Sequence, residues 1–299
     1  MAMNALNYAA QYSQALAQVF PFVLHFGALF ATPNNGRYRW GDDGKTIYIP
    51  TIRTTGRVNA DRDTIATAQR NYDNAWEPKV LANQRKWSTL VHPKDIDQTA
   101  MATSIQNITN VYNQEQKFPE MDAYCISKIF ADWVAAGNTA TAMTITAANA
   151  LVQFDAMMQA MTEARVPATG RILYVDPPTK TALKNAEQIS RNFDVQSRQD
   201  VIDRRVTSLD QVTVEEVPSE LMKTVYNFTE GWAPGASAKQ IHMLLVQPLA
   251  VITPVSYEFA QLDPPSAVTE GKFIYYEESH EDVFILNNKA AAIQFVTEA

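Results

Sequence analysis

Apolar side chains recur at helical spacing over the middle of the chain. Between Asp95 and Ala136 most of them stand three to five residues apart, a spacing that places them on one face of a helix. The series consists of Ile96, Met101, Ile105, Ile108, Tyr112, Met121, Cys125, Ile129 and Trp133. Pro119 interrupts it. The pattern therefore predicts one long helix with a kink near Pro119, or two helices end to end, with a total length of about 60 Å.

Shorter patterns of both kinds fill the remainder of the chain. Helices are predicted for Asn4–Val19, for Leu151–Met161 with an end before Pro167, and for Thr179–Ala186. Strands are predicted where β-branched and aromatic residues cluster or alternate, namely at Thr46–Ile52, Trp87–Val91, Ile172–Val175, Val212–Val217, Met243–Val246, Val251–Thr253, Phe273–Tyr276, Val283–Leu286 and Ala291–Val296. Because these elements follow no regular βαβ order, we predict an α+β fold.

The segment between the strands Thr46–Ile52 and Trp87–Val91 is polar and has few apolar side chains for its length. Such a segment cannot bury a core of its own. We predict a long projection in which these two strands pair and the residues between them form a wide tip. An isolated two-stranded ribbon is marginally stable in water, so we expect the projection to lie against a neighbouring subunit.

The N-terminal region is uncharged, with no Lys, Arg, Asp or Glu from Met1 to Gly36. Its apolar run, Val19–Ala31, contains Pro21 and His25 and is shorter than the roughly 20 residues that span a bilayer. No positive region precedes the run, as a secretory signal would require. We therefore expect an arm that packs on protein, most simply on another subunit.

Composition and charge narrow the class of protein further. Hydrophobic residues make up 46% of the 299 residues and charged residues 19%, which suits a folded chain. The net charge of −7 argues against a general nucleic-acid-binding surface. A single cysteine, Cys125, excludes an internal disulfide and a zinc site built on several cysteines.

Charge is distributed unevenly along the chain. Residues 37–94 carry a net charge of +5 and residues 255–299 a net charge of −6, which favours head-to-tail association of copies. We hypothesise that basic residues of one subunit meet acidic residues of its neighbour. The candidates are Arg53, Arg57, Arg62 and Arg70 on one side and Glu277, Glu278, Glu281 and Asp282 on the other.

Motifs that carry chemistry are weak. Gly44-Lys45-Thr46 resembles the end of a phosphate-binding loop, but Arg39 stands where that loop needs its first glycine, so we favour a turn that enters a strand. The acidic run Glu277–Asp282 could hold a hard cation, yet it lacks the spacing of a calcium loop, and we favour a solvated hairpin or an interface. Cys125 has no neighbouring base and is expected to be a buried thiol. We predict no catalytic, cofactor or metal site and no enzymatic activity.

The order of the predicted elements resembles that of tailed-bacteriophage major capsid proteins with the Hong-Kong-97-type fold. The shared parts are an apolar arm, an extended two-stranded loop, a long helix interrupted by proline, a mixed α+β region and closing strands. Three local segments add to the resemblance: Leu6–Ala9 followed by Tyr12-Ser13, Gly170–Pro177 after a helix, and Asp282–Lys289 near the end.

This resemblance implies a division of the chain and a function. Residues 1–43 would form the N-terminal arm, 44–92 the extended loop, 93–142 with 269–299 a peripheral domain that holds the long helix, and 143–268 an axial domain. The chain would assemble through hexamers and pentamers into an icosahedral shell that encloses double-stranded DNA without binding it specifically.

The same resemblance bears on partners and location. The chain would be part of the virion, would assemble in the host cytoplasm, and would insert into no membrane. A fused scaffolding region is not expected, whereas a separate scaffold protein, a portal and a decoration protein are compatible with the resemblance. From the residues alone, a nucleotide-binding enzyme and a soluble surface-binding module stay open as alternatives.

Overall fold

A computed structural model of the chain describes residues 22–59, 70–99, 103–187 and 206–299. The helix predicted for Asn4–Val19 and the candidate Arg62 lie outside the described residues. The helices are α1 (Gly27–Phe30), α2 (Pro93–Gln98), α3 (Ile105–Tyr112), α4 (Phe118–Ala135), α5 (Ala150–Glu163) and α6 (Pro177–Lys184). Between α3 and α4 the residues Asn113–Lys117 form a π-helical turn.

The strands are β1 (Arg39–Trp40), β2 (Thr46–Thr54), β3 (Tyr72–Val80), β4 (Gln84–Val91), β5 (Thr141–Ala142), β6 (Ile172–Val175), β7 (Ser208–Leu209), β8 (Val212–Glu216), β9 (Tyr226–Asn227), β10 (Ala233–Pro234), β11 (Ile241–Val246), β12 (Val251–Ile252), β13 (Val255–Asp263), β14 (Phe273–Glu281), β15 (Phe284–Ile285) and β16 (Ile293–Thr297). Helices and strands mix without a βαβ repeat, so the predicted α+β class is confirmed.

A six-stranded mixed sheet in the order β5-β16-β11-β6-β8-β7 forms the centre of the molecule. Helix α5 covers one face, where Phe154 and Met161 pack with Leu173 and Leu245. Helix α4 covers the other face. On that face its buried residues Cys125, Ile126, Ile129 and Trp133 pack with Tyr174, Leu244 and Phe295. The sheet is thus buried on both faces, which explains the continuous apolar runs that predicted β6 and β11. Strand β16, which belongs to the C-terminal segment 269–299, pairs with β11 in this sheet.

The predicted long helix is present from Ile105 to Ala135, and the interruption lies where Pro119 predicted it. Proline lacks an N–H group, and its ring clashes with the carbonyl of the residue four positions earlier. The π-helical turn Asn113–Lys117 widens the helix just before Pro119 and removes this conflict. The predicted start at Asp95 is wrong. Helix α2 ends at Gln98, and Ser104 begins α3 as an N-cap that accepts from the N–H of Asn107, so the helix is about 45 Å long.

Asp122 of α4 ties the N-terminal arm, at His25 and Phe26, to this helix of the same chain. Its fully buried carboxylate accepts hydrogen bonds from the backbone N–H groups of His25, at 2.9 Å, and Phe26, at 3.1 Å. The ring of Phe26 is also fully buried and lies 4.7 Å from the ring of Tyr174 in the central sheet. A buried carboxylate is tolerated here because both of its oxygens have a donor.

We expect Asp122→Ala to lower the free energy of unfolding by about 3 kcal/mol, because it leaves two backbone N–H groups without their acceptor in a buried site. Urea unfolding of the unassembled chain measures this change. Val134→Ala, at an exposed position of the same helix, is the control and should change stability by less than about 0.5 kcal/mol. Equal effects of the two substitutions would contradict the anchoring role.

Protonation of Asp122 should also affect stability. Burial raises the pKa of this carboxyl to about 7, although the two N–H donors lower it. A carboxyl with a higher pKa in the folded chain binds more protons when folded. The free energy of unfolding should therefore fall as pH rises from about 4 to about 7. Asp122→Asn removes this contribution, so the difference between wild type and variant should vary across that range in urea titrations. A constant difference would show that Asp122 does not titrate there.

The predicted pairing of the extended loop is wrong. Strand β2 pairs with β3, from Thr46 opposite Val80 to Thr54 opposite Tyr72, whereas β4 pairs with β14 in a different sheet. The two-stranded projection formed by β2 and β3, here called the ribbon, therefore returns at Val80. Strand β3 escaped prediction because polar and charged residues separate its few apolar side chains.

The acidic run Glu277–Asp282 does not form a hairpin. Residues 273–281 are one continuous strand, β14, at the middle of a three-stranded antiparallel sheet in the order β13-β14-β4. Pairing with β4 places Glu277 opposite Trp87 and Glu278 opposite Lys86. A central strand tolerates these carboxylates because Trp87 and Lys86 face them across the strands and the hydroxyls of Tyr275 and Tyr276 on the same strand donate to them.

Candidate intersubunit surfaces

The ribbon rests on the body of the molecule through one of its two faces. At its base, Ile47 and Ile49 are buried in a small core with Leu81, Ile252 and Phe284. On the same face, directly opposite these two residues, Lys79 donates to the side-chain oxygen of Asn287, and Asn287 donates to Glu77. Side chains alternate between the faces of a strand, so these contacts fix which face of the ribbon points away from the body.

The opposite face of the ribbon is exposed and carries no charge. Residues that stand directly opposite each other in an antiparallel pair share a face. The uncharged ribbon face therefore consists of Thr46, Tyr48, Pro50, Ile52, Thr54, Tyr72, Asn74, Trp76, Pro78 and Val80. Within it Ile52 is 71% exposed, Tyr72 56% and Trp76 50%. All four charged residues of the two strands lie on the other face: Arg53, Asp73, Glu77 and Lys79.

The projection has few apolar side chains, as the sequence predicted, but the pairing of β2 with β3 gathers them on one face. An open hollow of about 340 Å³ lies beside the base of this face, lined by the aromatic residues Trp40, Tyr48 and Trp76 and by Arg39, Gly41 and Asp42 from β1 and the turn after it. Large apolar side chains gathered on one exposed face are typical of a surface that another molecule covers.

The three-stranded sheet also has one covered and one open face. On the covered face, the ring of Trp87 stacks on Tyr112 of α3 with centroids 3.8 Å apart. Arg85 donates to the carboxylate of Glu120 at 2.6 Å and to the carbonyl of Phe228 at 2.6 Å. The sheet is thereby fixed on both sides of the π-helical turn.

The open face, here called the outward sheet face, comprises Gln84, Lys86, Ser88, Leu90, Tyr257, Phe259, Gln261, Asp263, Ile274, Tyr276, Glu278 and His280. Aromatic rings form its centre, with the Phe259 centroid 6.4 Å from Tyr257 and 6.2 Å from Tyr276. Glu278 accepts from the hydroxyl of Tyr276 and from the amide of Gln84, and these bonds lower its pKa. The face thus has an aromatic centre with polar neighbours, as protein interfaces do.

Solved phage capsid structures resemble this fold over nearly its whole length. The mature capsid of bacteriophage PhiM1 gives a TM-score of 0.68 at 12% identity, covering 100% of this chain and 92% of that chain. The capsid of cyanophage P-SCSP1u gives 0.63 at 11% identity, covering 97% and 93%. The capsid of cyanophage Pam1 gives 0.57 at 13% identity, covering 100% of both. The chain has the fold of phage capsid proteins.

The fold expected from the resemblance in the sequence is therefore confirmed. No family model matches the sequence, and no curated protein matches it. At 11–13% identity, the similarity to the solved capsids shows the fold alone. The exposed surfaces of this chain therefore also bear on its function.

Within this capsid fold, the four acidic candidates do not form one docking surface. Asp282 is buried, and its carboxylate accepts from the N–H of Ala82 and the hydroxyl of Tyr124, so its assignment to a neighbour's arginine is wrong. Glu277 lies on the covered face, 3.3 Å from Lys117. Burial raises the pKa of Glu281, which lines a cavity of about 190 Å³ with Glu277 and Asp282. Of the four candidates, Glu278 lies on the outward sheet face, which also carries Asp263.

The basic candidates are spread along the ribbon and beyond its end. Arg53 is exposed on the charged face of the ribbon, and Arg57 is exposed after β2. Arg70 lies 3.5 Å from Asp73, with its guanidinium 5.1 Å from the centroid of the Tyr72 ring. Their pairing with acids of a neighbour stays a prediction, with the half-buried Glu278 as the candidate acid on the outward sheet face.

The phosphate-loop alternative loses its support at Gly44. The carboxylate of Asp43 accepts from the backbone N–H groups of Lys45 and Thr46 and from the Thr46 hydroxyl. These are donors that a phosphate would need, and Gly44, with φ of +65°, forms the turn that enters β2. The preferred interpretation, a turn before a strand, is confirmed.

The structure also bears on the cysteine, the metal ligands and the membrane spans considered from the sequence. Cys125 is fully buried, and burial raises the pKa of its thiol, as expected for a structural residue. In the described part of the chain, no three His, Cys, Asp or Glu side chains are placed to hold a metal ion. Among the same residues, no helix has the length and apolarity needed to cross a bilayer.

We expect Arg85→Met to lower the free energy of unfolding by about 2 kcal/mol, because Glu120 and the carbonyl of Phe228 both lose their donor. Lys86→Met is the matched control, since the neighbouring side chain points to the outward sheet face, and it should change stability by less than about 0.5 kcal/mol. Urea unfolding of the unassembled chain compares the two. Equal losses would refute the clamping role of Arg85.

Proposed function

We propose that the chain is the major capsid protein of a tailed bacteriophage and that its activity is self-assembly. Copies would associate through hexamers and pentamers into an icosahedral shell that encloses double-stranded DNA. One observation carries this proposal: the whole fold agrees with that of capsid proteins of similar length. Exposed apolar surfaces on the ribbon and on the three-stranded sheet support it, because a subunit that works alone gains nothing from them.

The division of the chain follows the same proposal. Residues 1–43 form the arm, 44–92 the extended loop, 93–142 and 269–299 the peripheral domain, and 143–268 the axial domain. Within the extended loop, the ribbon is the part that reaches another subunit. Strands β4 and β14, which pair across these segments, fix the base of the loop to the peripheral domain.

The shell would contain DNA rather than bind it tightly. Its subunit has a net charge of −7, and tight binding to phosphates would need many more cations than anions on the inner surface. The chain would thus belong to the virion, would assemble in the host cytoplasm, and would act without catalysis. A scaffold protein, a portal and a decoration protein are compatible partners.

Electron microscopy of the purified chain tests this proposal. We expect rings, tubes or closed shells at high protein concentration, with or without a coexpressed scaffold. A variant in which Asn-Gly replaces residues 50–76 should fold, because Ile47 and Ile49 at the base of the ribbon are retained and Ile49 stands opposite Glu77. It should form fewer closed shells, because the projecting part of the ribbon is gone. Discrete monomers under all conditions, with normal folding by circular dichroism, would overturn the proposal.

A further inference from the structure

We propose that strand β13 of one copy pairs edge to edge with β13 of a second copy, antiparallel and across a two-fold axis. The two three-stranded sheets would then form one continuous sheet. This inference rests on the proposed function, because it names a contact through which one hexamer or pentamer would be joined to the next.

Strand β13 is an exposed edge. It lies at one side of the three-stranded sheet, and no described element pairs with its other side. Residues 255–262 are all exposed, although successive side chains point to opposite faces of the sheet. Val255 is 49% exposed, Tyr257 48% and Leu262 49%. The described part of the chain therefore leaves the edge and much of both faces of this strand uncovered.

The composition of β13 offers little protection against pairing. Proteins commonly guard a free edge with lysine or proline within the strand. Residues 255–263 contain no Lys, Arg or Pro, and their acids are Glu258 and Asp263. Strand β3, the edge of the ribbon, by contrast contains Pro78 and Lys79. A long apolar edge without such guards is typical of a strand that another chain covers.

Backbone hydrogen bonds show which residues of β13 face the free edge. The N–H of Asp282 donates to the carbonyl of Pro254, just before β13, whereas the N–H of Glu281 donates to Asn83, just before β4. Even-numbered residues of β14 therefore bond to β13, because successive residues of a strand bond to opposite sides. The register of the two strands then assigns the odd-numbered residues of 257–263 to β14. The N–H and C=O groups that face the free edge belong to Glu258, Ala260 and Leu262.

These three residues are complementary to themselves. When two copies of β13 pair about Ala260, that residue faces its own counterpart, and Glu258 faces Leu262 of the other copy. All three then exchange both of their backbone hydrogen bonds with the second strand. No carboxylate faces another, since Asp263 stands opposite Tyr257 of the other copy.

The register is limited at both ends of the strand. Near the start of β13 its pairing with β14 is irregular, and Ser256 there donates to the carbonyl of Gly44. Pro264 follows the strand and has no N–H to donate. Shifting the two-fold axis by one residue would place an edge residue opposite Ser256 or opposite Pro264, with loss of hydrogen bonds. Pairing about Ala260 is therefore the register that satisfies the edge most fully.

A second copy of the same strand fits this edge, because it has the same length and its free backbone groups stand at matching positions. A contact across a two-fold axis closes with two copies, so it links rings but does not build them. The paired stretch, residues 257–263, is about 23 Å long and covers well below the roughly 800 Å² per partner of a stable interface. The contact should therefore persist in assembled particles and not in dilute subunits.

Disulfide cross-linking in assembled particles tests the inference. Ala260→Cys places a thiol opposite its own counterpart, with Cα atoms about 5.5 Å apart, within reach of a disulfide. Glu258→Cys and Leu262→Cys face each other instead, so they should form dimers when the two variants are coassembled. Each of them alone is a matched control, because its thiol would lie about 13 Å along the strand from its counterpart. The native Cys125 is fully buried, and wild-type particles give the background.

We expect Ala260→Cys particles to give disulfide-linked dimers after mild oxidation, at five-fold or more above either control alone, and the coassembled pair to do the same. Normal shells without dimers from Ala260→Cys would overturn the inference while the proposed function stands. Equal dimer yields from all variants, alone or mixed, would also overturn it, because the register would then have no effect. Failure of the wild-type chain to assemble would instead contradict the proposed function.

A proline substitution gives a second readout that does not need cysteines. The N–H of Ala260 faces the free edge, so Ala260→Pro removes a donor to the second copy and none within the chain. Edge strands tolerate proline at such positions. We expect Ala260→Pro to reduce the yield of shells at least ten-fold, whereas Ala260→Ser should assemble like wild type. Circular dichroism and urea unfolding of the unassembled variants should show normal folding for both.

A normal yield of shells from Ala260→Pro would count against the inference. Loss of folding in this variant would also count against it, because the N–H of Ala260 would then be needed within the chain and could not face the free edge.

Discussion

Burial of the long helix against its neighbours is the interaction on which the rest of the structure depends. Its C-terminal half, α4, covers the central sheet through Cys125, Ile129 and Trp133. Near the start of α4, Asp122 binds the arm at His25 and Phe26, and Glu120 binds Arg85 of the three-stranded sheet. A single helix therefore positions the arm, the central sheet and the three-stranded sheet relative to one another. Among its polar contacts Asp122 is fully buried, and the two backbone N–H donors offset part of the cost of its desolvation.

The sequence predicted the parts whose local pattern agrees with their packing. Helix α5 and strands β6, β8 and β11 have apolar residues at the spacing of buried faces, and the structure contains them close to the predicted bounds. Pro119 marked the interruption of the long helix because the effect of proline on a helix is local. The order of these elements along the chain indicated the general fold. That order can be read from the sequence without knowing which elements contact each other.

Strand pairing escaped prediction because it depends on contacts between distant residues. Thr46–Ile52 and Trp87–Val91 both have strand-like composition, and nothing local indicates that one pairs with β3 and the other with β14. The candidate surface was missed for the same reason. Tyr48, Ile52, Tyr72 and Trp76 share a face only through the register of β2 and β3. Net charge over 37–94 is a sum over both faces of the ribbon, so it concealed a face with no charge at all.

The π-helical turn at Asn113–Lys117 has a mechanical consequence. A helix bends most easily where its regular hydrogen bonding is interrupted. The three-stranded sheet contacts the helix before the turn, through Trp87 on Tyr112, and after it, through Arg85 on Glu120. Lys117 within the turn pairs with Glu277 of the same sheet. The sheet therefore supports the helix at the point where it bends most easily. A change in the curvature of the subunit at this point must tilt the sheet, and with it the outward sheet face.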